Sequence, residues 1–183
     1  MGNRINEGEI TKLAAEVAAK TALEVYEKER KNARKEQIDR RLRNTKLLLR
    51  NFRMFREHAA KAVYEIEMAD ENAYEILDLM EQSSKSIVFV DSIKTSVART
   101  VTIVHHIEAM LEIYEIFCQK STNPEEKRRY RVIRSLYIDD KPLTIKAIAE
   151  EEHMTERNVY RDIDIACERL ASLFFGIDGI NRY

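Results

Sequence analysis

The stretch Leu143-Thr144-Ile145-Lys146-Ala147-Ile148-Ala149-Glu150-Glu151-Glu152-His153-Met154-Thr155-Glu156-Arg157-Asn158-Val159-Tyr160-Arg161-Asp162-Ile163 contains two helix starts and one apolar set that joins them. Thr144 suits the N-cap of a short helix, with Leu143 and Ile148 at the N′ and N4 positions of a hydrophobic staple. Thr155 suits the N-cap of a second, longer helix that continues through Ala166, Leu170 and Leu173. Ile148, Met154, Val159 and Ile163 supply the apolar positions that lock the two helices, and Ala149 is small enough to let their backbones approach. The pattern predicts a helix-turn-helix. In such a unit the second helix enters the DNA major groove while the first braces it across the backbone.

On the second helix Val159, Ile163, Ala166 and Leu170 share one side at 3.6-residue spacing. Arg157 and Arg161 point away from it, with Asn158 and Tyr160 on the flanks. Arginine pairs with guanine through two hydrogen bonds and asparagine does the same for adenine, so Arg157, Asn158, Tyr160 and Arg161 are the candidates for base-edge contact. Glu156, Asp162 and Asp164 on the same helix would repel phosphates. The same spacing also fits an ordinary helical hairpin with a solvated charged face.

Upstream, Asn123-Pro124-Glu125-Glu126 is a helix start, with Asn as cap, Pro at N1 and Glu at N3. That helix turns Tyr130, Ile133 and Tyr137 toward a core, with Val132 and Leu136 beside them. Lys127, Arg128, Arg131 and Arg134 stay outside and, with Lys146, are the candidates for phosphate contact, which positions a protein without reading sequence. Lys120-Ser121-Thr122 forms a short linker, so the chain divides into a helical region, 1–120, and a small domain, 121–183, expected to fold by itself. Asp139-Asp140-Lys141-Pro142 turns the chain. Downstream, Gly176 suits an αL C-cap, with Ile177 folding back on the last turn and Asp178-Gly179-Ile180 completing an apolar clasp.

The run Lys127-Arg128-Arg129-Tyr130-Arg131-Val132-Ile133-Arg134-Ser135-Leu136-Tyr137, followed by Ile148-Ala149 and Thr155-Glu156-Arg157-Asn158-Val159-Tyr160-Arg161-Asp162-Ile163, resembles the C-terminal domain of ArpU/RinA-type phage late transcription regulators. The helix-turn-helix of that family is similar to the last DNA-binding region of bacterial sigma factors. The Ser/Thr-x-Arg-x-Val core at 155–159 and the Leu170 spacing carry the match, which covers roughly residues 124–180. The resemblance implies regulation of late phage or prophage genes, with double-stranded DNA as partner and RNA polymerase as a further one. Two positions depart from the pattern. Glu152 stands where such motifs carry an apolar residue, and His153 where the turn often has Gly; histidine can take positive φ at a cost.

Before residue 120 the signal is helical repetition. Residues 8–36 predict a first helix with a thin apolar stripe of Ile10, Leu13, Val17 and Val25, which needs a partner to be stable. Charge is basic from Lys28 to Arg56 and acidic from Glu65 to Glu81. The basic block can lie along phosphates, pair with the acidic block, or form a solvated face. Two heptad seams run through the region: Phe52, Phe55, Ala59, Ala62, Ile66, Ala69, Ala73, Ile76 and Met80, then Ile93, Val97, Thr100, Val104, Ile107, Leu111, Tyr114 and Cys118. A break at Ser83-Ser84-Lys85-Ser86 makes an antiparallel hairpin of them. A second chain fits the seams as well, and a homodimer through residues 38–118 is the expected assembly.

Composition agrees with long helices: among 183 residues 34% are charged, with only four glycines and two prolines. The formal net charge of −1 gives no whole-molecule attraction to nucleic acid, so any attraction must be local. Cys118 and Cys167 read as reduced, buried, small hydrophobes of a cytoplasmic protein. Met1-Gly2-Asn3-Arg4-Ile5-Asn6 lacks the apolar run of a signal peptide, Asn6 breaks a myristoylation motif, and no membrane span is predicted. His105 and His106 point about 100° apart on a helix and cannot chelate one metal together. No cofactor motif, metal set or catalytic set stands out, so no enzyme is expected. The expectation is an all-α chain, with N-terminal coiled-coil-like helices followed by a helix-turn-helix. Two other functions fit less fully: a small-terminase-like packaging component built on a ring, and a helical adaptor that binds no DNA.

Overall fold

The computed structural model describes residues 7–61, 73–82 and 97–176 of the chain. Its regular structure is all α-helical: α1 (Glu7–Lys61), α2 (Ala73–Gln82), α3 (Val97–Lys120), α4 (Pro124–Ile133), α5 (Ile145–Glu151) and α6 (Glu156–Phe175), with a π-helical turn, Arg134–Ile138, closing α4. No strand occurs among the described residues. By internal contacts the chain forms two units, Met1–Asp39 and Arg40–Tyr183.

In the first unit, every side chain from Ile10 to Gln37 is exposed. The predicted helix over 8–36 is therefore present but is part of a far longer one, and its apolar residues find no cover in their own unit.

In the second unit one core gathers residues from both sides of residue 120. Leu48, Leu49, Phe52 and Phe55 of α1 recur at helical spacing and are fully buried, as are Ile76 and Met80 of α2. From α3 come Thr100, Val104, Ile107, Leu111, Tyr114 and Cys118, all six described side chains of the second heptad seam. Val132 and Ile133 of α4, Ile148 of α5 and Val159, Ala166, Leu170 and Phe174 of α6 join the same cluster. Full burial of one such large apolar side chain is worth about 1.5–3 kcal/mol. The seam is thus consumed inside its own chain. Its period marked a buried face correctly, while an interchain coil through 38–118 would need side chains that are already covered. Ala62, Ile66, Ala69, Ile93 and the Ser83–Ser86 break lie outside the described residues, as do Ile177 and the clasp at 178–180.

The boundary expected at 120/121 falls between two helices of one core rather than between units. α3 and α6 pack directly, and His106 of α3, half-buried, has Nε2 3.1 Å from the carbonyl of Phe174. A carbonyl only accepts, so Nε2 carries the proton; burial lowers this imidazole below its ordinary range. Basic residues of α1 are also tied to later elements. Arg41 pairs with Glu81 at 3.0 Å, Lys46 with Asp164 at 2.6 Å and Arg56 with Asp140, while Arg53 donates to the carbonyl of Leu136 at 3.1 Å. From Arg40 onward much of the basic block therefore serves the fold, and Arg41–Glu81 joins it to the acidic block. Cys118 and Cys167 are free and buried, and burial pushes the Cys167 thiol up to about 12.

Candidate nucleic-acid interface

Both predicted caps of the Leu143–Ile163 stretch form. Thr144 Oγ1 accepts from the backbone N–H of Ala147 (3.2 Å), starting α5, and Thr155 Oγ1 accepts from that of Asn158 (3.3 Å), starting α6. Asn123 Oδ1 accepts from the N–H of Glu125 (2.9 Å) and starts α4, with Pro124 at N1. Each cap satisfies one of the donors that a helix start leaves unpaired.

The turn between α5 and α6 explains both departures from the motif. His153 adopts φ +52, the left-handed region, which histidine enters more readily than most residues. This geometry lets the N–H of Met154 reach the carbonyl of Ala149 at 2.9 Å. Glu152 ends α5 with its carboxylate held by the guanidinium of Arg131, through two bonds of 2.7 Å. That pairing keeps the Glu152 carboxyl below its usual range and neutralises a charge where an apolar residue was expected. At the far end of α6, Gly176 has φ +87 and ψ 171. The predicted αL cap is therefore replaced by an extended conformation of positive φ, which glycine alone tolerates. A Cβ there would meet no atom within 4 Å, so the demand for glycine is conformational.

Along α6 the two faces separate cleanly. Val159, Ile163, Ala166 and Leu170 are buried, whereas Arg157, Tyr160 and Arg161 are exposed and Asn158 is half-buried. None of these four side chains has a hydrogen bond or ion pair among the described residues. Arg161 and Asn158 border an open polar groove that continues past Thr155, His153 and Glu152 to Arg128.

The phosphate candidates are placed less uniformly. Lys127 and Lys146 carry no ion pair among the described residues, and Lys146 is exposed. Arg128 instead binds Asp162, Nε to Oδ2 at 2.7 Å and Nη2 to Oδ1 at 3.3 Å. Arg131 is held by Glu152, and Arg134 by Asp139 at 3.0 Å, although both remain about half exposed. Asp162 is completely buried, and Arg129 approaches it as well, Nε to Oδ1 at 3.4 Å. Arg129 also pairs with Glu125 (2.6 Å) and Glu126, and Glu126 receives Arg169 at 2.8 Å. The result is a ladder of alternating charge between α4 and α6.

Sequence reasoning missed this ladder, although a signal for it existed. Asp162 lies three residues after Val159 and four before Ala166, on the apolar side of the helix. A carboxylate at such a position requires cationic partners. The expected repulsion is revised accordingly: Asp162 is neutralised by Arg128 and Arg129, Asp164 is paired with Lys46, and Glu156 alone remains exposed without an ion pair among the described residues.

Among the described residues no group of three or more His, Cys, Asp or Glu could hold a metal ion, and no helix is long and apolar enough to cross a membrane. No family model, curated protein or solved structure matches the chain.

Proposed function

We propose that the chain is a sequence-specific double-stranded DNA-binding protein, with α5 and α6 as a helix-turn-helix and α6 as the helix that enters the major groove. The observation that carries this reading is the outward face of α6. Arg157, Asn158, Tyr160 and Arg161 stand together in its first two turns, without a hydrogen bond or ion pair among the described residues, while Asp162 and Asp164 of the same helix are paired with cations of α4 and α1. Helices that read DNA contact bases with residues near their N-terminus. Lys127 and Lys146 are assigned to phosphates. Arg131 and Arg134 can join them only by exchanging a carboxylate for a phosphate, and Arg128 is assigned to the fold. The resemblance to ArpU/RinA-type regulators supports transcription regulation of phage or prophage late genes as the setting.

Selection of bound fragments from random duplex DNA, followed by titration of the selected and random duplexes, tests the proposal. An enriched motif bound at least about 1,000-fold more tightly than random duplex is expected. Equal binding of both, or none, would remove the assignment.

A further inference from the structure

The outward face of α6 is not uniform. At about 100° per residue, Arg157 and Arg161 stand within about 30° of the direction opposite Val159, Ile163, Ala166 and Leu170. Tyr160 and Asn158 stand about 70–90° to either side of that direction. Asn158 is half-buried on its flank, beside Thr155 and His153 in the open polar groove, and Tyr160 is exposed on the other.

A helix with its side chains is about 10–12 Å across and the major groove about 12 Å wide, so a helix that enters the groove fills its width. Side chains in the outward direction then reach base edges on the groove floor. Those on the flanks meet the walls, where the acceptors are phosphate oxygens of the two strands. Guanine O6 and N7 take two parallel hydrogen bonds from one guanidinium. Neither Arg157 nor Arg161 has a hydrogen bond or ion pair among the described residues, so neither has to surrender a carboxylate first. They are four residues apart, about 6 Å along the axis. Steps of three to four residues along a helix in the groove meet successive bases. Further along, Asp164 and Glu168 lie within about 50° of the outward direction and are exposed. Carboxylates have no donor to offer guanine O6 or N7, so the guanine-reading surface ends after two turns.

Resting on the DNA-binding reading, we infer that α6 reads two G·C pairs on neighbouring steps, one through Arg157 and one through Arg161, while Asn158 and Tyr160 hold phosphates of opposite strands. Two of the four outward residues set the sequence and two only the affinity. Adenine, which the residue type of Asn158 suggests, is left out because the flank places that amide against a groove wall.

Selection from random duplex DNA by the full-length natural protein and by single variants tests it. The natural chain should enrich two neighbouring G·C pairs. Replacing either pair by A·T in the duplex, with the protein unaltered, should weaken binding about 10- to 100-fold. Arg157→Ala should lose the preference at one of the two pairs and Arg161→Ala at the other. Asn158→Ala and Tyr160→Phe should keep the motif, and each should weaken selected and random duplexes by the same factor. An enriched motif without neighbouring guanines, an unchanged motif in Arg157→Ala or Arg161→Ala, or a lost base preference in Asn158→Ala or Tyr160→Phe would overturn the inference while leaving α6 a DNA-reading helix. No enriched motif at all would remove the DNA-binding reading and the inference with it.

Discussion

α4 and the first two turns of α6 are both rich in arginine, yet their arginines do opposite work. On α4, Arg128 and Arg129 face Asp162 and Glu126, and Arg131 holds Glu152. On α6, Arg157 and Arg161 face outward, with no ion pair among the described residues. Sequence spacing makes Arg128, Arg131, Arg157 and Arg161 alike look like surface cations. What distinguishes them is where the carboxylates lie: Asp162 is on the buried side of α6, so it draws the α4 guanidiniums inward and leaves its own helix free to present positive charge. Local basicity is therefore a poor guide to affinity for phosphate until each cation's partner is known.

The largest test of this contrast is Asp162→Ala. It leaves Arg128 and the largely buried Arg129 without their common carboxylate, and breaking a buried pair in this way costs about 3–5 kcal/mol. Urea unfolding should show the loss; a change under about 1 kcal/mol would mean that the ladder is incidental to the fold.

Arg157→Ala and Arg161→Ala should behave in the opposite sense. Each is expected to lose about 1–3 kcal/mol on a preferred duplex and little on random duplex, with unfolding unchanged. Arg128→Ala should instead appear mainly in the unfolding midpoint. If it altered DNA affinity alone, the division between structural and outward arginines would be wrong.

Lys127→Ala and Lys146→Ala are expected to weaken selected and random duplexes alike, each lowering the slope of log K against log salt by about one. A slope that does not move takes the lysine in question out of the phosphate set.

Arg131 and Glu152 give a smaller, pH-dependent effect. Because the carboxyl of Glu152 is held below its usual range, mainly by its hydrogen bonds from Arg131, the pair stabilises the fold above the unfolded value of about 4.3. That contribution disappears as pH falls through the lower folded value. Arg131 is half exposed, so solvent screening keeps the gain under about 1 kcal/mol. Arg131→Ala should flatten the stability profile between about pH 5 and pH 3, a span set by the ordinary carboxylate value; an unaltered profile would show that solvent screens the pair completely.

The smallest expected change is at the turn. His153→Gly removes the cost of a side chain at φ +52 but loosens the unfolded chain, so a shift within about 1 kcal/mol is expected. His153→Val, β-branched, should destabilise by more than that. Thermal melts of the two variants would decide whether the turn's conformation is a constraint or merely tolerated.

Local rules were legible in the sequence. The caps at Asn123, Thr144 and Thr155, the positive φ at His153, the burial of the second heptad seam and the separated faces of α6 all follow from short spacings. Long-range choices were not. A seam states that one face is buried, not which chain buries it, so Val104, Ile107 and Leu111 fit a dimer as well as the intrachain core they join. The linker at 121 resembles a boundary because caps and polar residues mark helix ends, and a helix end inside a domain looks the same. Arg128 and Asp162 are 34 residues apart, and only the approach of α4 to α6 reveals them as partners. The four outward residues of α6 could be identified from one helix; the ladder behind them required two.

That separation has an engineering consequence. The side chains that hold α6 in place, Val159, Asp162, Ile163 and Ala166, are distinct from the four that look outward, and no bond among the described residues links the two sets. Positions 157, 158, 160 and 161 can therefore be randomised together in a library without disturbing the scaffold. If α6 reads DNA, variants recovered from such a library would carry new target preferences on an unchanged melting temperature. The helix would then serve as an interchangeable reading head.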